Sequence, residues 1–150
     1  DKDGFLKITG RTKEMFKTSG GKYVVPPLLE GELKQSLFIE QVMVVGEGEK
    51  MPAAIIQPNF EFIKDWIKHK GLEIGETNKE IATSERVVKR IQKEVDKCNK
   101  NFGKWEQIKR FELTPDVWSI EDGHLTPTMK MKRAVIKGIY QDLYDKIYKA

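Results

Sequence analysis

Three short segments combine residue types that handle anions. In "LTPTMKMKR" (residues 125–133), Lys130, Lys132 and Arg133 fall within four positions, behind Thr126, Pro127 and Thr128. A residue before proline avoids helical backbone, so Thr126 reads as extended. A helix then begins near Met131 or Arg133, which leaves Lys130 on the loop ahead of it. A lysine on a positioned loop can reach into a shared site, whereas one in mid-helix is ordinarily a solvated charge. In "TSGGKY", Thr18, Ser19, Gly20, Gly21 and Lys22 set two glycines between a hydroxyl pair and a cation. Glycine lets backbone approach a ligand closely. The segment is not a P-loop, because the position five before Gly21 is Phe16 and Tyr23 follows Lys22. A plain hairpin loop is the competing reading. "GRTKE" adds Arg11 and Lys13, two apart; an arginine beside glycine can fork onto hydroxyls or phosphate.

Other chemistries find little support. The two histidines, His69 and His124, are far apart and have no cysteine or histidine at metal-ligand spacing, so no metal site is expected. His124, in "EDGH", reads as a turn residue. Cys98 is the single cysteine, which rules out an intrachain disulfide and suits a reducing, cytosolic compartment. It falls on an apolar stripe and reads as a core thiol. A net charge of +4, from 27 basic and 23 acidic side chains, is compatible with anionic ligands but singles out no nucleic acid.

The elements that must carry these segments follow from periodicity. Phe5, Leu6 and Ile8 suggest one strand and Met15-Phe16 a second, with a turn near Gly10; Tyr23 to Val25 resume extended structure. Pro26-Pro27 open a helix through "LLEGELKQSL", with Leu28, Leu29, Leu33 and Leu37 on its core face. Val42 to Val45 and Ala53 to Ile56 read as a hairpin closed by "GEGEK". Asn59 caps a short helix stopped by Gly71, with Phe62, Ile63, Trp66 and Ile67 buried. The longest helix runs from Thr83 or Ser84 to about Asn101. Its apolar positions are Val87, Val88, Ile91, Val95, Cys98 and Phe102; its other face is cationic and reads as solvated. Ile108 to Leu113 form a strand, and "DVWSIEDGHLT" a small hairpin around Asp122-Gly123. One closing helix turns Ala134, Val135, Ile139, Leu143 and Ile147 inward, with Tyr140, Tyr144 and Tyr148 as a second, packing stripe. The class is α+β: a small, mostly antiparallel sheet with an N-terminal hairpin and helices packed on it. The 150 residues suffice for one domain, and the opening "DKDGFLKITG" reads as a domain cut from a longer chain.

Taken together and in order, "DGFLKITGRTKEMFKTSGGKYVVPPLLE" and "LTPTMKMKR" resemble the C-terminal domain of AMP-forming acyl-CoA synthetases, nearest the long-chain fatty acid branch. The resemblance covers the whole chain. It implies a mobile lid on a large N-terminal domain absent from this sequence, with fatty acid, ATP and coenzyme A as substrates and Mg2+ accompanying ATP, held mainly by that missing domain. In that family the acid and ATP give an acyl-adenylate, which coenzyme A converts to a thioester. The resemblance makes Lys130 the adenylation lysine and Lys13 the hinge, with Arg11 near the nucleotide. Thr18, Ser19, Gly20, Gly21 and Lys22 become the loop lining the coenzyme A channel, and Glu30 a structural glutamate. Many relatives carry glycine where Met129 stands; a shifted register would make Lys132 the active cation. Lys132 and Arg133 otherwise read as first-turn charges. A basic nucleic-acid-binding module and the lid of another adenylate-forming enzyme, such as an aryl-CoA ligase, are the competing readings. The compartment expected is the cytoplasm, with a full-length enzyme peripheral to a membrane as the competing expectation.

Overall fold

The computed structural model describes residues 15–75 and 77–149. The strand expected at Phe5 to Ile8, and both Arg11 and Lys13, lie outside the described residues. Strands β1 (Phe16–Lys17) and β2 (Tyr23–Val24) pair antiparallel as a short hairpin. Helix α1 (Pro26–Leu33) follows, started by two prolines whose missing N–H groups cost nothing in a first turn. Strands β3 (Ile39–Val45) and β4 (Ala53–Pro58) form the expected antiparallel hairpin. Helices α2 (Phe60–Lys70), α3 (Asn78–Thr83) and α4 (Glu85–Asn99) intervene before β5 (Arg110–Leu113). Two further helices, α5 (Arg133–Ile139) and α6 (Gln141–Lys149), close the chain.

Helix ends obey local rules. Asn59 accepts the Phe62 N–H at the start of α2, and Gly71 ends it at φ 65°. Lys68 and Lys70 in the last turn complement the helix dipole. At α3 the Thr77 and Glu80 side chains each accept the other's backbone N–H, a reciprocal cap.

The class is α+β as expected, but the central sheet is mixed. Its order is β3-β4-β5, with β4 and β5 parallel. A hairpin cannot join parallel strands; the three helices between β4 and β5 supply the long crossover that can. Both faces of the sheet are covered. Val42, Val44, Ala54 and Ile56 face α1, α2 and α4, meeting Leu29, Leu33, Ile63, Val87, Ile91 and Val95. Met43, Val45, Ala53 and Ile55 face the other way, against Trp118, Ile136, Tyr140, Tyr144 and Ile147. Two buried faces explain why "VMVV" and "AAII" are unbroken apolar runs rather than alternating ones.

Four expectations are corrected. Helix α1 stops at Leu33, so Leu28 and Leu37 are 58% and 66% exposed, and Phe38 fills the core instead. In α2, Phe60, Ile63 and Ile67 are buried, while Phe62 and Trp66 are half-buried and pack edge-on against Phe38. No strands flank Asp122-Gly123; turns do, with Gly123 at φ 87°. The closing helix is two helices, broken at Tyr140 (φ −105°, ψ 31°). The break turns Ile136, Tyr140, Tyr144 and Ile147 inward and leaves Ala134, Val135 and Ile139 exposed.

Cys98 belongs to the α4 core face, 4% exposed, and burial followed by the nearby Glu32 carboxylate pushes its thiol up to about 11. The thiolate is the reactive form. Cys98 should therefore resist a thiol-specific reagent at neutral pH in the folded protein and react readily in urea. Equal rates in the two conditions would contradict this packing.

Candidate functional site

The segment carrying Lys130 is a tight, self-bonded turn. The Thr126 N–H donates to the Lys130 carbonyl (2.8 Å), and the Met129 N–H donates to the Thr126 carbonyl (2.8 Å). The Thr126 hydroxyl accepts the Lys130 N–H at 3.1 Å, and a single bridge joins Leu125 to Met131. Such closure leaves the backbone at Met129 at φ 66°, the only positive φ at a non-glycine residue among those described. That conformation costs a β-carbon about 1 kcal/mol or more, which is the physical reason glycine suits this position. Lys130 is exposed, and its ammonium has no hydrogen-bond or carboxylate partner among the described residues. Its backbone is fixed while its charge is free. Lys132, also exposed, is the N-cap of α5, and its N–H donates to the His124 carbonyl at 2.8 Å.

Two clamps hold this turn, and both escaped the sequence reading. The first is Arg133, which forks onto Glu30 with both N···O distances at 2.7 Å. Glu30 is 5% exposed and also accepts the Val44 N–H at 2.8 Å. Arg133 is thus a structural anchor, not a solvated first-turn charge, while Glu30 is structural as expected.

The second clamp is aromatic. His124 is 4% exposed rather than a surface turn residue, and its ring lies near-parallel to Trp118 and Tyr140. Its Nδ1 accepts the Ser119 N–H at 3.2 Å, which leaves the ring proton on Nε2, facing the Tyr140 hydroxyl at 3.3 Å. That hydroxyl also accepts from Trp118 Nε1 (3.0 Å) and donates to Asp116 (2.9 Å). The Trp118 backbone N–H ends on buried Gln57 at 2.9 Å, fastening the cluster to β4. The only sequence signal for this cluster was the four-residue tyrosine spacing.

The glycine loop joins β1 to β2. The Thr18 N–H donates to the Lys22 carbonyl (2.9 Å), and the Gly21 N–H to the Thr18 carbonyl (2.9 Å), with Gly21 at φ 83°. Thr18 is 7% exposed and its hydroxyl donates to the Lys22 carbonyl at 3.3 Å, so this side chain braces the loop from inside. Ser19, Gly20, Gly21 and Lys22 are exposed, and a β-carbon at either glycine would meet nothing within 4 Å. The loop therefore offers open backbone to a ligand. The Lys22 ammonium stands 5.8 Å from the Trp105 ring, a half-exposed aromatic that the sequence reading did not select.

The structure does not bring these two segments together. The glycine loop is bonded to the β3–β4 loop through Ser19 to Glu49 (2.8 Å) and Gly48 to Lys17 (2.9 Å). That is the end of the sheet where Val45 pairs Ala53. Met129 instead lines a hollow with Glu40, Gln41, Gln57 and Asn59, at the end where Ile39 pairs Pro58. Strand β3 between them is seven residues, or about 20 Å at strand rise. Among the described residues no three His, Cys, Asp or Glu side chains gather as metal donors.

The Tyr140 hydroxyl gives the cluster a pH signature. Burial, and then Asp116 by hydrogen bond and charge, push it up to about 12, only partly offset by Thr114 and Trp118. The folded state holds this proton more tightly than an unfolded tyrosine at about 10. The associated stability is therefore complete below about pH 10 and lost as pH rises toward 12. Tyr140→Phe should cost about 1–3 kcal/mol at pH 7, because Trp118 and Asp116 lose a partner. It should also make the alkaline fall in urea midpoint shallower; an unchanged slope would contradict the assignment.

Comparison with known proteins agrees with this architecture. Residues 14–150 match the model of a family described as AMP-binding enzyme C-terminal domain. A long-chain-fatty-acid–CoA ligase of Mycobacterium tuberculosis is 34% identical over 148 residues, covering 99% of this chain and 25% of its own. Long-chain-fatty-acid–CoA ligase 1 of Homo sapiens is 33% identical over 149 residues, covering 97% and 21%. The chain thus spans about a quarter or less of the length of these relatives. Among solved structures, the adenylation domain of a carboxylate reductase from Mycobacterium chelonae shares the fold (TM-score 0.76, 19% identity, 93% of this chain and 20% of that one). A Mycobacterium tuberculosis fatty acyl CoA synthetase does so more loosely (TM-score 0.52, 19% identity, 85% and 20%). With a family model matched from residue 14 to the last, and relatives above 30% identity across the chain, this protein belongs to the AMP-binding enzyme C-terminal domain family.

Proposed function

We propose that this chain is the lid domain of an AMP-forming long-chain fatty acid–CoA ligase, which makes acyl-CoA, AMP and pyrophosphate from fatty acid, ATP and coenzyme A. The observation that carries the reading is the separation of the two anion-handling segments. Met129, the neighbour of Lys130, and the glycine loop lie toward opposite ends of β3, a strand about 20 Å long. That separation supports two orientations of the domain for two steps.

In the first orientation Lys130 meets the substrate carboxylate and the α-phosphate of ATP. Negative charge gathers there as the carboxylate oxygen attacks phosphorus and pyrophosphate leaves. An ammonium already held by a closed turn stabilises that charge with little reorganisation. In the second orientation the Thr18–Lys22 loop lines the channel through which the coenzyme A thiol reaches the acyl carbon. Open backbone at Gly20 and Gly21 suits a narrow pantetheine arm. Lys13 serves as the hinge and Arg11 lies near the nucleotide. ATP with Mg2+ and the acyl chain are held mainly by an N-terminal domain, and the assembled enzyme works in the cytosol.

In the full-length enzyme, Lys130→Ala should slow acyl-adenylate formation on the order of a hundred- to a thousand-fold. Thioester formation from supplied acyl-adenylate should stay within a few-fold of wild type. Equal losses in the two half-reactions would defeat the assigned role.

A further inference from the structure

Beyond its own hairpin, the glycine loop is hydrogen-bonded to the rest of the described protein at one place, the β3–β4 loop. The Ser19 N–H donates to the Glu49 carbonyl (2.8 Å), and the Gly48 N–H donates to the Lys17 carbonyl (2.9 Å). Where Ser19, Gly20 and Gly21 stand therefore depends on where Glu49 stands. The segment "GEGEK" is a weak support by itself. Gly46 and Gly48 sit at φ 139° and 73°, and Glu47, Gly48 and Lys50 are exposed. Glycine leaves a chain with much freedom to lose, so such a loop holds one shape only when tied from outside.

The tie comes from α6. The Tyr144 hydroxyl donates to Glu49 Oε2 at 2.6 Å, across 95 residues of sequence. One turn further on, the Tyr148 hydroxyl donates to the Met51 carbonyl at 2.8 Å. The donors are themselves anchored. Tyr144 is 7% exposed and packs with Met43 and Val45 of the sheet, and the two tyrosine rings meet at 4.9 Å. Gly46 is fitted to this contact, since a β-carbon there would stand 2.9 Å from the Met51 carbonyl and 3.1 Å from the Tyr148 hydroxyl. Burial, and then the Glu49 carboxylate by hydrogen bond and charge, hold the Tyr144 proton on well above the ordinary tyrosine range, so the donor is intact at neutral pH. Packing alone does not call for this hydroxyl, because a phenylalanine ring would fill the same space. A charge-assisted bond from a packed helix to a loop carboxylate fixes position instead. Glu49 is held twice, by its side chain to α6 and by its carbonyl to the glycine loop.

We propose that Tyr144, acting through Glu49, is a positioning residue for the thioester-forming step. It sets where the Thr18–Lys22 backbone meets the pantetheine arm of coenzyme A, an inference that rests on the function proposed above for that loop. None of these bonds reaches the Lys130 turn, so acyl-adenylate formation does not depend on them.

The two half-reactions of the full-length enzyme test it. With supplied acyl-adenylate, Tyr144→Phe should lower kcat/KM for coenzyme A about ten- to a hundred-fold, the scale expected of a displacement of about 1 Å near a reacting centre. Acyl-adenylate formation should stay close to wild type. Glu49→Ala should reproduce the loss, and the double variant should add nothing to it. Glu49→Gln keeps an acceptor for the hydroxyl and should behave like wild type. Gly21→Ala, which puts a β-carbon on a residue at φ 83°, tests the loop itself. Wild-type thioester formation by Tyr144→Phe, with a loss in Gly21→Ala, would overturn the proposal and leave the role of the loop standing. Equal losses of Tyr144→Phe in the two half-reactions would also overturn it, by showing a bond that serves folding alone. If Gly21→Ala is silent as well, the role assigned to the loop falls, and this inference with it.

Discussion

One ion pair sets the geometry on which the rest depends. Glu30 and Arg133 are 103 residues apart, and they join α1 to the first residue of α5 through two 2.7 Å bonds. The same carboxylate takes the Val44 N–H, an amide of the outer strand that β4 cannot reach. A buried carboxylate is costly unless its lone pairs are filled, and here a fork and a backbone amide fill them. The consequence is positional. Arg133 is three residues past Lys130, so fixing its guanidinium against the sheet fixes where the turn ends. The aromatic cluster fixes where the turn begins, since Tyr140 and Trp118 hold His124, whose carbonyl receives Lys132.

Between these anchors the backbone has little freedom, and that explains Met129. A chain held at both ends and closed by Thr126 must pass through a left-handed residue. The side chain beyond it is held by nothing among the described residues. The role proposed for Lys130 calls for that division, with a preorganised backbone and a charge not already spent on a neighbour. The glycine loop divides labour likewise: Thr18 is buried and braced, while Gly20 and Gly21 are open.

Much of this was legible in the sequence because it is local. Proline and glycine punctuation gave the start of α1 and the end of α2, and period-2 and period-3.6 patterns gave the β3–β4 hairpin and α4. Lys130 stood out because Pro127 breaks the chain just before it. What was missed is non-local. Nothing near Arg133 announces Glu30, and nothing near His124 announces Trp118 and Tyr140 as stacking partners. The parallel placement of β5 depends on where three helices return the chain. In the closing segment, a helix break at Tyr140 rotated the apolar face, so a single-helix count chose Val135 and Ile139 over Ile136.

The claim that the Glu30–Arg133 pair anchors the Lys130 turn is tested most directly by a double-mutant cycle. Urea unfolding of wild type, Glu30→Gln, Arg133→Met and the double variant isolates their coupling. A coupling of about 2 kcal/mol is predicted, below the full value for a buried pair because the Arg133 side chain is 31% exposed. Additive losses, with coupling within about 0.3 kcal/mol of zero, would contradict it.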